Sequence, residues 1–172
     1  MNHVLHWVDY HPRRIGWVVS VGCVALLAFG LYLQHVVGLE PCPMCIVQRY
    51  ALVLVALLAA WLATRTSRMA HVSSALVLVV VCGFGAFVAA RQSWLQWYPP
   101  QALSCGRDLY GMIENFPLQR VIPMVFKGSG DCSVVDWTFL GGSIANWSFL
   151  CFCAIGGLAL LLAVRHLRHT ET

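Results

Sequence analysis

Five residues carry the spacing that chemistry needs: Cys42 and Cys45, Arg49 four positions on, and two later cysteines, Cys105 and Cys132. Cys42-Pro43-Met44-Cys45 is a C-x-x-C, a spacing shared by redox-active dithiols and zinc sites. Its setting is the start of the apolar run "CIVQRYALVLVALLAAWLA". Pro43 suits the first position of a helix, where a missing N–H costs nothing. Cys42 then becomes the N-cap and Cys45 falls in the first turn, where the positive end of the helix dipole favours a thiolate. Arg49 shares the helical face of Cys45 and lies about 6 Å deeper. An arginine there either snorkels to the near interface or serves a site, which is the default reading of an ionisable residue within a span. Beside a thiolate, it would stabilise both the sulfur anion and an anionic acceptor. The chemistry on offer is thiol–disulfide exchange next to a fixed cation.

Cys105 and Cys132 lie in a long polar segment with 26 residues between them. A static disulfide between them would stabilise by roughly 3–4 kcal/mol in the chain-entropy model. "KGSGDC" places Gly128, Ser129 and Gly130 before Cys132, which gives that end freedom to move. Zinc is the chemical alternative for four such cysteines, but the second pair lacks the tight spacing of a zinc ribbon. Of seven histidines only His35 lies in an apolar span, so a bis-histidine haem has no second ligand there. Neither metal nor haem is expected.

The positioning elements follow from composition. The chain has 172 residues, 59% hydrophobic and 10% charged, with a mean hydropathy of +0.72; a soluble domain has roughly 25% charged residues. Four windows, about 15–36, 44–63, 69–90 and 144–164, reach the roughly 20 apolar residues that cross a bilayer. Backbone groups in lipid must be satisfied within the segment. The expectation is therefore an all-α membrane protein: a four-transmembrane-helix bundle forming one integral domain over residues 1–172.

Arg13, Arg14, Arg65, Arg68, Arg165 and Arg168 flank the spans on one side and make up six of the eleven basic residues. Positive-inside reasoning puts that side and both termini in the cytoplasm. Loops 37–43 and 91–143 then lie outside. The basic balance sits at membrane flanks and calls for no nucleic-acid partner. "RRIGWVVSVGC" continues as an apolar run well past a 7–15-residue signal core and reads as an uncleaved first span.

This topology sorts eight cysteines. Cys42, Cys45, Cys105 and Cys132 fall outside, where disulfides persist. Cys23, Cys82, Cys151 and Cys153 fall within spans and read as small packing residues. Leu109, Met112, Ile113 and Phe116 repeat at helical spacing, giving the long loop a short amphipathic helix that lies on the membrane. Trp94, Trp97, Tyr98, Trp137 and Trp147 read as interfacial anchors. Gln48 reads as a helix–helix contact. Arg91 and Gln92 close the third span and are not assigned to the site.

"QHVVGLEPCPMCIVQRYAL", "LQWYP", "IPMVFKGSGDC" and "WTFLG" together closely resemble the disulfide bond formation protein B (DsbB) family of inner-membrane thiol oxidases. The likeness runs from Arg14 to about Val164, and its specific core is C-x-x-C-x-x-x-R at the mouth of the second span with the "SGDC" cysteine before a tryptophan. The resemblance implies a multi-pass protein of the bacterial inner membrane, with its active cysteines facing the periplasm. It implies that a periplasmic thioredoxin-fold oxidant, DsbA-like, attacks a Cys105–Cys132 disulfide through Cys105. Cys132 then exchanges with the Cys42–Cys45 pair through Cys42. Cys45 is left as the thiolate that contacts a membrane quinone, ubiquinone or menaquinone, with Arg49 stabilising thiolate and quinol anion and Gln34 lining the same region. Such a route keeps the bacterial periplasm oxidising.

Two other readings compete. A vitamin K epoxide reductase-like quinone/thiol oxidoreductase has its loop pair before the C-x-x-C; here the C-x-x-C comes first. A structural four-span subunit would hold its outer cysteines in static disulfides, so that replacing Cys45 would cost stability in place of turnover.

Overall fold

The computed structural model describes residues 12–99, 132–133, 135 and 137–168. Four long helices dominate the described residues: α1 (Pro12–His35), α2 (Pro43–Thr64), α3 (Arg68–Trp97) and α4 (Ile144–Arg168). Each is long and apolar enough to cross a membrane. Large apolar side chains such as Val18, Leu57, Val80 and Leu150 are exposed around the bundle, as a lipid-facing surface requires. The protein is a multi-pass four-helix membrane protein. Cys105 and the amphipathic segment Leu109–Phe116 lie outside the described residues.

Successive helices pack on each other, α3 on α4 most extensively, and Ile15 of α1 meets Leu162 of α4 to close the ring. Small residues let backbones approach, the usual device where lipid offers no hydrophobic drive between helices. At Gly16 of α1 an added Cβ would stand 2.7 Å from the Ala59 carbonyl oxygen of α2. At Gly85 of α3 it would stand 2.6 Å from the Phe152 ring of α4. Cys23 and Cys82 are fully buried among Val55, Leu78 and Phe152, as expected of packing cysteines.

The helix ends are closed by specific bonds. Arg13 Nε donates to the Ala63 carbonyl at 3.0 Å, satisfying a C-terminal carbonyl of α2. The α2–α3 turn is tied by a hydrogen bond between His71 Nε2 and the Arg65 carbonyl oxygen, 2.7 Å apart. Ser143 Oγ accepts from Asn146 N–H at 3.4 Å at the start of α4.

Two features depart from expectation. Helix α3 runs to Trp97, beyond the expected end at Ala90, because Gln92 and Ser93 are buried and Gln92 finds hydrogen-bond partners inside the bundle. A two-stranded antiparallel hairpin, β1 (Thr138–Phe139) and β2 (Gly142–Ser143), precedes α4. Leu140 (φ 49°) and Gly141 (φ 79°) form its two-residue turn, the positive-φ geometry that matches strand twist. Trp147 Nε1–H donates to the Phe139 carbonyl at 3.0 Å, pinning the hairpin to α4.

Candidate functional site

The site is built at the start of α2. Cys42 is the N-cap, with Pro43 opening the helix as its sequence suggested, and the Cys42 sulfur accepts the Cys45 N–H at 3.3 Å. One helical turn then brings the two sulfurs together: Cys42 S–H donates to Cys45 Sγ at 2.8 Å. Both thiols are free. Cys132 is fully buried beside them, in a cluster with Met44, Val88 and Leu95. Hydrogen bonds, first to Cys132 and then to Cys45, together with burial, hold the Cys42 thiol well above its ordinary range. Three of the four expected redox cysteines are thus brought together; the fourth, Cys105, lies outside the described residues.

Gln92 of α3 completes this cluster. Its Nε2 donates to Cys45 Sγ at 3.2 Å and to Cys42 Sγ at 3.3 Å. Its Oε1 accepts from Gln48 Nε2 at 2.7 Å, which fixes the amide with its NH2 toward the sulfurs. Gln48 is therefore the helix–helix contact expected of it, and it also orients a sulfur ligand. The sequence alone does not assign Gln92 to the site. The available signal was an uncharged polar side chain in a membrane helix, with nothing local to say which way it faced.

Arg49 is half-buried one turn beyond Cys45 and reaches across to α1. Its guanidinium donates to Gln34 Oε1 at 2.5 Å and to the Gly30 carbonyl at 3.1 Å. Gln34 and Arg49 thus meet as a pair, and α1 fixes the orientation of the cation. A snorkelling side chain would point to solvent; this one is anchored to a neighbouring helix.

Cys42, Cys45, Arg49, Gln34, Gln48 and Gln92 all border one cavity of about 590 Å³, within the range of small-molecule sites. The rest of its wall is mainly apolar, from Leu26 and Leu33 of α1 to Phe152 of α4. Trp137 and Trp147, expected as interfacial anchors, line it too. Phe29, Trp137, Phe139 and Trp147 form a row of ring contacts, with centroids 5.8 to 6.1 Å apart, running from α1 through the hairpin to α4. Cys151, read from sequence as a packing residue, also borders the cavity, whereas Cys153 is exposed on the bundle surface. Chemically, the arrangement offers a dithiol with hydrogen-bond donors on its sulfurs, a third cysteine within exchange reach, and a fixed cation facing an apolar chamber.

Residues 12–162 match the family model described as Disulfide bond formation protein DsbB. The chain is 70% identical over 154 residues to Disulfide bond formation protein B of Polaromonas naphthalenivorans (strain CJ2), covering 90% of this chain and 92% of that relative. It is 68% identical over 161 residues to the protein of the same name in Polaromonas sp. (strain JS666 / ATCC BAA-500), covering 94% and 96%. With that of Acidovorax sp. (strain JS42) the identity is 62% over 162 residues, covering 94% and 93%.

Proposed function

The chain belongs to the DsbB family, membrane oxidoreductases of disulfide bond formation, and from that premise we propose that it is a protein-disulfide:quinone oxidoreductase. Its substrate is the reduced form of a DsbA-like periplasmic dithiol oxidant, and its acceptor is membrane quinone. It works as one integral domain of the bacterial inner membrane, with termini in the cytoplasm and the cysteine end facing the periplasm. The observation that carries this reading is the position of Cys45, whose sulfur accepts a hydrogen bond from the Cys42 thiol on one side and borders the apolar cavity with Arg49 on the other.

The cavity fits a quinone by its chemistry: an apolar chamber for the ring and its tail, with Arg49, Gln34 and Cys45 as the polar groups that would hold the head. When bound, the quinone supplies a two-electron, two-proton acceptor, becoming quinol as two thiols become one disulfide. The residues do the rest. Cys105 takes the attack of the partner's thiolate and opens its disulfide with Cys132. Cys132, packed beside Cys42, exchanges onto it and opens Cys42–Cys45, so that Cys45 leaves as a thiolate. The partner's second thiol then displaces Cys105, which re-forms its disulfide with Cys132 and frees Cys42 as a thiol. The Gln92 N–H and the Cys42 S–H solvate the Cys45 anion in the reduced pair. Arg49, clamped by Gln34 and Gly30, keeps a positive charge at the cavity wall without needing to reorganise. Phe29, Trp137, Phe139 and Trp147 wall the chamber that the reactive sulfur borders.

The test is quinone reduction by the purified protein on addition of reduced DsbA-like protein, wild type against Cys45→Ser. Quinol is expected from the wild type and none from the variant. A folded, quinone-binding wild type that yields no quinol overturns the proposal and leaves the cysteines structural.

A further inference from the structure

The end of the bundle opposite Cys42 carries the start of α1, the end of α2 and the turn into α3. Arg13, Arg14 and Arg65 stand there, while Glu40, the only acid among the described residues, lies at the other end. Arg65 is the C-cap of α2, and an arginine beyond a helix end is free to extend into water. Its guanidinium carbon lies instead 3.8 Å from the Trp61 ring centroid, over the indole. Trp61 is one turn back along α2, so the cation is folded about 6 Å toward the apolar part of the helix. Trp61 itself is 53% exposed, on the outer surface of a spanning helix. The Arg65 backbone is fixed too, by the hydrogen bond between its carbonyl oxygen and Nε2 of the buried His71. One face of this guanidinium is covered by the indole, and its N–H edge makes no hydrogen bond among the described residues.

A cation drawn back toward hydrocarbon gives up hydration, and a stack on an exposed indole offsets little of that. An anion at headgroup depth supplies what is missing, since phosphate takes the edge of a guanidinium in a bidentate fork. Arg13 adds charge at the same level. Its Nε donates to the Ala63 carbonyl, two residues from Trp61 and therefore about 3 Å away along α2. The positive end of the α3 dipole faces the same side. We infer that Arg65, seated on Trp61, binds the phosphodiester of an anionic phospholipid in the leaflet at this end. The guanidinium edge takes the phosphate oxygens, and the indole packs against the glycerol and the first acyl carbons. Arg13 and the α3 dipole favour a lipid with net negative charge over a zwitterionic one. Free phosphate offers the same oxygens, but the folded-back position against an apolar wall suits the lipid-borne form. The site is separate from the cavity and does not depend on the quinone reading.

The experiment is native mass spectrometry of the full chain in a neutral detergent, titrated with dioctanoyl phosphatidylglycerol. Dioctanoyl phosphatidylcholine and inorganic phosphate are titrated in parallel. The wild type should hold phosphatidylglycerol more tightly than phosphatidylcholine, and inorganic phosphate should not displace it. Arg65→Gln should raise the Kd about tenfold, from the loss of a charge-assisted bond. This variant keeps both backbone bonds of the turn, from Arg65 N–H to the Leu62 carbonyl and from the Arg65 carbonyl to His71. Trp61→Leu, which keeps the charge and removes its seat, should raise the Kd about threefold. Arg14→Gln removes the same charge at the same end from an exposed side chain, and its Kd should stay within about twofold. Equal losses in Arg65→Gln and Arg14→Gln would overturn the site and leave only diffuse attraction. Displacement by inorganic phosphate, or phosphatidylcholine held as tightly as phosphatidylglycerol, would overturn the choice of ligand.

Discussion

Gln92 Nε2 on α3 lies 3.2 Å from Cys45 Sγ on α2, and the same nitrogen reaches Cys42 Sγ at 3.3 Å. One amide thus bridges both sulfurs of the dithiol, and Gln48 holds that amide in place. A hydrogen bond to an ionised group contributes about 1.5–3 kcal/mol. Gln92→Leu is therefore expected to slow electron transfer from thiols to quinone by roughly 10–100-fold, with the helical content retained. Stopped-flow quinone reduction, with circular dichroism as the control for folding, checks this. Gln48→Leu should lower the rate less, and the double variant should fall short of the sum, because the two amides act as one unit. Full additivity would show that Gln92 acts without Gln48.

Arg49 is held by a side-chain oxygen and a backbone oxygen of α1 through two different guanidinium nitrogens. A lysine keeps the charge and loses that fork. Arg49→Lys is expected to raise the KM for quinone by about tenfold, from the loss of one charge-assisted bond. The KM for the dithiol partner should stay put. Gln34→Leu, which removes the oxygen partner and leaves the charge, should move the quinone KM in the same direction.

Cys42 has its thiol form favoured, chiefly by its hydrogen bond with Cys132. A raised value keeps the proton on the sulfur as pH climbs through the ordinary thiol pKa of about 8.5. In the fully reduced protein, iodoacetamide should modify Cys42 slowly across that range, with the rise in rate displaced to higher pH. Cys132→Ala removes the leading cause, and the rise should then move back toward the ordinary range. Peptide mapping by mass spectrometry at a series of pH values reads both outcomes.

Gly85 has no room for a methyl group, since the Phe152 ring lies 2.6 Å from where its Cβ would stand. Gly85→Ala should destabilise the α3–α4 contact by about 1–3 kcal/mol, the cost of overpacking. Adding Phe152→Leu should recover part of that loss. Thermal unfolding of the purified variants in one detergent measures both steps.

Leu140 sits at φ 49° in the hairpin turn, a conformation that asparagine and glycine accept more readily than leucine. Leu140→Asn should stabilise the hairpin by about 0.5–1 kcal/mol. Hydrogen exchange at the hairpin amides should slow accordingly. Unchanged or faster exchange would show that the leucine side chain matters more to the turn than its backbone angle.

The sequence by itself determined the four spans, the cap at Cys42 with Pro43 behind it, and the placement of Cys45 and Arg49 on one face. These depend on length, apolar content and capping, which neighbours along the chain decide. It also carried the family likeness. Tertiary structure decided the partners. In the sequence Gln92 carries no mark of its role, Cys151 reads as packing and Trp137 as an anchor, yet all three border the cavity. The reason is that helices apolar on every side do not declare which face turns inward. Depth and rotation are set by close approaches such as Gly16 on Ala59 and Gly85 on Phe152. Those approaches join residues more than 40 positions apart. The two-residue strands of the hairpin are too short for alternation to mark them, and only their pairing and the Trp147 bond make them visible.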